Sequence, residues 1–183
     1  MRGVGSRISK QLKGAGKLSI EPNQLRNLID QTLKVIIPTT WSIEARELLM
    51  MTAAQESHCG RYLQQVGCGI ALGLFQMEPA TYKDCYQNFL VYHKNLRGLV
   101  EENFLVHEDN FKVNLMGNIP YQIVMARLQY YRFSEAIPST PQHSVFNSDF
   151  IHALACYYKK YWNTKKGKAT VGEALRNYDK YAS

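Results

Sequence analysis

Apolar positions along the chain recur mostly at helical spacing. Leu25, Leu28, Ile29 and Leu33 share one stripe behind Pro22, whose fixed φ suits the first turn of a helix. Pro38 and Thr39 end that segment. A second helix is predicted over Ile43–Ser57, where Ala45, Leu48, Leu49, Thr52, Ala53 and Glu56 fall on one stripe. Glu44, Glu47 and Gln55 project elsewhere. The stretch 59–77 holds Gly60, Gly67, Gly69 and Gly73 and reads as a glycine-rich loop or short hairpin. Pro79 opens another helix that continues through Cys85 and Phe89, and 96–106 reads as a short one. Pro120 starts a stronger helix carrying Ile123, Val124, Leu128 and Tyr131. Pro138 and Pro141 bound the next loop. Ser148 is expected to cap a helix with Phe150, Ile151, Leu154, Ala155, Tyr158 and Trp162. Thr170 with Glu173 fits a capping box for the last helix. Strand-type alternation is weak throughout, so the expected class is mainly α.

Composition narrows the choices. The 183 residues suffice for one domain with a sizeable core. Residues 1–20 read as a flexible basic arm and 21–183 as a single domain. The apolar runs 48–54 and 70–75 fall far short of the roughly 18 residues of a membrane span, so none is expected. The arm lacks the apolar core of a secretory signal. A net charge of +7 suits an anionic partner and equally a merely soluble surface. No basic helix or aromatic–basic motif points to nucleic acid. Cys59, Cys68, Cys85 and Cys156 form no CxxC pair, so no metal site and no cofactor are expected, even with His58 beside Cys59. Free buried thiols are expected, with a Cys59–Cys68 disulfide as the alternative in an oxidising compartment.

Glu56 is the residue with chemical promise. It extends an apolar stripe near a helix C-terminus, and both features raise a carboxyl pKa. A carboxyl protonated near neutral pH is what a glycosidic general acid requires. A glutamate that merely reaches solvent at a fraying helix end is the plainer alternative.

The residues around it resemble the soluble lytic transglycosylase family, which shares its fold with goose-type lysozymes. The resemblance rests on Glu56-Ser57 at a helix end, then Gly73-Leu74-Phe75-Gln76-Met77, then Pro79 and Thr81. A third piece is Ala153-Leu154-Ala155-Cys156-Tyr157. Phe75 and Met77 are apolar replacements, whereas Tyr158 stands where the family has Asn. The matched pieces span 43–162. The resemblance implies a lysozyme-like helical domain with Glu56 as the catalytic acid/base. It gives Tyr157 the place of the tyrosine that hydrogen-bonds that acid, and makes peptidoglycan glycan strands the substrate. Ser57 either orients the Glu56 loop, or holds a sugar acetamido group, or bonds backbone at the helix end. Gln76 either contacts glycan or satisfies the loop's own backbone. From spacing alone Tyr157 is a core position.

A lone acid suits transglycosylation, in which the muramoyl C6 hydroxyl attacks and a 1,6-anhydro end forms. Glu78 and Asp84 are the nearest other acids. Alternatives are a goose-type hydrolase, an inactive structural or ejection protein on the same fold, and an anion-binding protein using its basic arm. The run 157–167 resembles phage-encoded versions of the domain. Together with the absent signal, it implies a virion protein made in the host cytoplasm and acting at the host cell wall, alongside other virion proteins.

Overall fold

A computed structural model describes residues 19–36, 40–67, 69–107, 110–140, 147–164 and 167–183. The arm over 1–18, the break at Pro38 and Thr39, the loop boundary at Pro141, and Cys68 with its alternative disulfide lie outside the described residues. Within them the chain forms eight α-helices: α1 Pro22–Ile36, α2 Ile43–Ser57, α3 Pro79–Asn88, α4 Lys94–Phe104, α5 Phe111–Gly117, α6 Ile119–Tyr131, α7 Ser148–Tyr158 and α8 Val171–Tyr181. A 3₁₀ turn at Leu90–Tyr92 and a π-helical turn at Lys159–Asn163 complete the regular structure. Among the described residues only isolated bridges appear, Gln64 with Leu72 and Leu72 with Met77, and no strand. The class is mainly α.

Caps explain most of the boundaries. The Ser42 hydroxyl accepts from Ala45 N at 3.1 Å and opens α2. Pro79 occupies the first position of α3, where its missing N–H costs nothing. Thr170 and Glu173 form the predicted capping box, with bonds of 3.2 and 2.8 Å. The cap of α7 is Asn147 and not Ser148: its side chain accepts from Asp149 N at 2.8 Å and Phe150 N at 3.3 Å. Helix α5 has no counterpart in the sequence pattern. It is seven residues long, capped by Asn110, and its buried Asn114 bonds the His107 carbonyl at 2.6 Å, so it offers no apolar stripe to read.

Helix α2 is the centre of the packing. It meets α8, α7, α1 and α6. Residues 47–54 of α2 are all buried, so the helix is enclosed on every side and not only along its predicted stripe. Glu47 lies off that stripe as the spacing requires, yet it is fully buried. Arg26 and Arg46 pair with it, and the Tyr178 hydroxyl donates to it at 2.6 Å. Helices α1 and α8 are amphipathic and cover α2 with Leu25, Ile29 and Leu33 on one side and Ala174, Tyr178 and Tyr181 on another. Each fully buried Leu contributes about 1.5–3 kcal/mol relative to exposure. No helix among the described residues is long and apolar enough to cross a membrane.

Candidate active site

The C-terminal turn of α2 carries Glu56 to the edge of a cleft of about 570 Å³. Beyond it the backbone turns sharply through three left-handed residues, His58, Cys59 and Gly60, with φ of 53°, 53° and 89°. Ser57 fastens this corner. Its buried hydroxyl donates to Leu74 O at 2.5 Å and accepts from Gly60 N at 2.9 Å. The structure thus gives Ser57 the backbone-bonding role and turns it away from the cleft, whose lining does not include it.

The facing wall is the turn over 72–77. Leu72 N and Met77 O, and Met77 N and Leu72 O, close it with bonds of 3.0 and 2.9 Å. Gly73 sits at φ 78°, where a Cβ would lie 2.0 Å from the Leu115 carbonyl oxygen, so only glycine fits. The Gln122 side chain accepts from Leu74 N at 2.6 Å and ties the turn to α6. Gln76, at φ 47°, donates to Gly73 O at 2.7 Å and to Tyr62 O at 3.3 Å. Its amide nitrogen serves the loop, while the residue also lines the cleft.

Burial raises the Glu56 pKa from 4.5 to about 7. A bond from Tyr158 opposes the rise, and the charge of Glu78 adds to it. Tyr158 Oη donates to Glu56 Oε1 at 2.5 Å. This corrects the expectation for Tyr157. The Tyr157 hydroxyl donates instead to the Glu135 carbonyl at 2.8 Å, its ring packs on Tyr161 and Tyr130, and it does not line the cleft. Consecutive helical residues point about 100° apart, so a one-residue slip in reading two adjacent tyrosines exchanges the one that reaches Glu56 for one that bonds the Glu135 carbonyl.

Other cleft residues were less visible in the sequence. Trp162, Asn163 and Thr164 come from the π-helical turn and the residue after it, and Gly167 and Lys168 follow. Trp162 packs at 5.3 Å from Tyr130 and 6.5 Å from Phe75, ring centre to ring centre. Of the two other acids considered, Glu78 is exposed and lines the cleft, whereas Asp84 pairs with Arg132 at 2.5 Å outside it.

Cys59 and Cys85 are buried free thiols, and Cys156 is an exposed one. Burial pushes Cys59 up to about 12, and His58 stacks on Tyr181 at 4.3 Å, so the adjacent pair makes no ligand set. Among the described residues no group of three or more His, Cys, Asp or Glu side chains stands ready for a metal ion. The arrangement can therefore present a carboxyl raised to about 7 at the edge of a cleft of about 570 Å³. Comparisons with protein-family models, with curated proteins and with solved structures found no match to this chain.

Proposed function

We propose that the protein is a peptidoglycan lytic transglycosylase with a lysozyme-like domain. The observation that carries this reading is Glu56: a carboxyl desolvated at a helix end, raised to about 7 and opening on a cleft. In the proposed reaction Glu56 gives its proton to the oxygen leaving the muramoyl anomeric carbon. The glycosidic bond breaks, and the substrate's own acetamido group stabilises the cationic centre. Glu56 then takes the proton of the muramoyl C6 hydroxyl as that oxygen bonds the anomeric carbon. The product is a 1,6-anhydro end, and no water is consumed. Gln76 is proposed to reach glycan through its carbonyl oxygen, since its nitrogen is engaged by the loop.

Glu78 favours a second reading. A second carboxylate in the same cleft suits activation of water, which gives a hydrolase with reducing ends. Digestion of purified peptidoglycan followed by mass analysis separates the outcomes. Anhydro ends support the transglycosylase, reducing ends the hydrolase, and intact strands sink both in favour of a structural protein. Carriage in a phage particle belongs to the same proposal, supported by the resemblance of the run 157–167. Its check is detection of the protein in purified virions.

A further inference from the structure

The protein has two tryptophans, and the structure uses them differently. Trp41 has both its polar handle and its ring occupied. Its indole N–H donates to Asp30 Oδ1 at 2.7 Å, and the Lys34 ammonium lies 4.8 Å from its ring centre. Trp162 is half-buried and lines the cleft that Glu56 borders. Its ring meets Tyr130 and Phe75 at 34° and 58° between planes, so neither ring lies flat against it. Among the described residues nothing accepts from its N–H. The side-chain nitrogens sealed from solvent without a partner there are His58 Nδ1 and Gln122 Nε2, so the Trp162 nitrogen opens on space. A tryptophan packed into a protein usually gives its N–H to an acceptor.

Trp162 belongs to the π-helical turn Lys159–Asn163, a type of turn frequent at functional sites. It comes four positions after Tyr158, about one turn and about 5 Å along the axis from the residue that bonds Glu56 Oε1. The turn is fastened at both ends. Lys159 Nζ donates to Asn163 Oδ1 at 2.7 Å and to Gly167 O at 2.9 Å. Gly167 has no room for a side chain, because a Cβ would lie 2.1 Å from the Asn163 carbonyl oxygen. The indole is thus held by the rings behind it and by a clamp on its backbone before any ligand arrives, which lowers the entropic cost of binding.

An indole fixed at a cleft wall with its N–H unspent matches one ligand class. A β-linked N-acetylhexosamine carries its substituents equatorially. It therefore offers an aromatic ring a face of axial C–H groups, with acceptor oxygens at the rim. We propose that Trp162 is a sugar-binding residue, its indole stacking on one N-acetylhexosamine of the strand and its N–H donating to an oxygen of that sugar. The inference rests on the proposed glycan reading of the cleft and adds to it the residue that seats the strand beside Glu56.

The probe is an N-acetylglucosamine tetramer, titrated against the full chain carrying Glu56→Gln so that no cleavage intervenes. Trp41→Phe in that background leaves Trp162 as the sole indole, and its fluorescence should change saturably with the tetramer. Trp162→Phe leaves only Trp41, whose emission should stay flat. Calorimetry should rank affinity as Trp, then Phe, then Leu at position 162. Trp162→Leu should lose about tenfold, and Trp162→Phe less, because it keeps an aromatic ring and gives up only the N–H. If Trp162→Leu does not fold, the two single-tryptophan proteins still decide. A response carried by Trp41, no response from either indole, or unchanged affinity in the Phe and Leu variants would overturn the assignment. Wild-type protein that binds the tetramer through Trp162 yet cleaves no peptidoglycan would sink the enzymatic reading and leave the sugar site standing. Peptidoglycan cleavage with an unchanged KM in Trp162→Leu would do the reverse.

Discussion

At Glu56 the proton is held by an environment that withholds water from the charge. In an unfolded chain the same carboxyl titrates near its ordinary 4.5, against about 7 when folded. Between those values the folded state binds a proton that the unfolded state has lost. Stability therefore falls as pH rises from about 4.5 to about 7 and is flat above, by on the order of 3 kcal/mol from this group. Glu56→Gln removes that term. The variant should be more stable than its parent at about pH 8, with the gap closing near pH 4, as denaturant unfolding at the two pH values will read. A gap that ignores pH would place the raised carboxyl elsewhere. Under the proposed mechanism the same variant should lose cleavage by at least on the order of 10²–10⁴-fold, since that mechanism assigns the leaving oxygen's proton to Glu56. The two tyrosines separate cleanly. Tyr158→Phe should lower the cleavage rate and raise the Glu56 midpoint. Tyr157→Phe should leave both near wild type, because it gives up only a bond to the Glu135 carbonyl. A wild-type rate for Tyr158→Phe would make its bond to Glu56 incidental.

At the scale of elements, the site depends on how a helix end and a tight turn are fastened to each other. Gly73 takes a left-handed conformation with the Leu115 carbonyl where a side chain would begin. Gly73→Ala should destabilise the protein by about 1–3 kcal/mol and also lower activity, because Leu74, its neighbour, receives the Ser57 hydroxyl. Full activity with an unchanged melting temperature would show that the turn moves freely. These two elements were legible in the sequence: a stripe ending in Glu56, a proline opening α3, and glycines between them. The buried sides of α2 were not, since a stripe reports one face and cannot say that the remaining faces are covered too. The spacing put Glu47 off the stripe, and could not say that its own side is buried as well. The cleft wall from Trp162 to Lys168 escaped for another reason. A π-helical turn adds a residue to the helical count without leaving a period of its own, so the sequence gives no sign of where the stripe changes face. The Tyr157 assignment failed just before that point, at a pair of tyrosines where a motif match is ambiguous by one residue.

Across the whole molecule, α1 and α8 are joined to α2, at its end away from Glu56, by a buried ionic cluster. Glu47, with no exposed surface, takes Arg26 of α1 at 3.1 Å, Arg46 at 2.8 Å and the Tyr178 hydroxyl of α8 at 2.6 Å. Arg26 also donates to the Ala182 carbonyl at 2.6 Å, just past the end of α8. One carboxylate thus links residues 26, 47, 178 and 182, which no local pattern associates. Such a cluster contributes little over apolar packing when intact, but removing one member strands charge away from water. Glu47→Ala should therefore cost about 3–5 kcal/mol, more than the loss of an exposed ion pair such as Arg97–Glu101. The cost should change little with added salt, because the pair is shielded from mobile ions. Glu47 lies nine residues before Glu56, about 13 Å along the helix axis, so the folded variant should keep its acid and its cleavage rate. Urea unfolding at low and high salt, with cleavage measured well below the transition, checks both halves. A Glu47→Ala protein as stable as its parent would show that α1 and α8 are held to α2 by apolar contact alone. A stable fold with cleavage abolished would mean that the far end of α2 sets the position of Glu56.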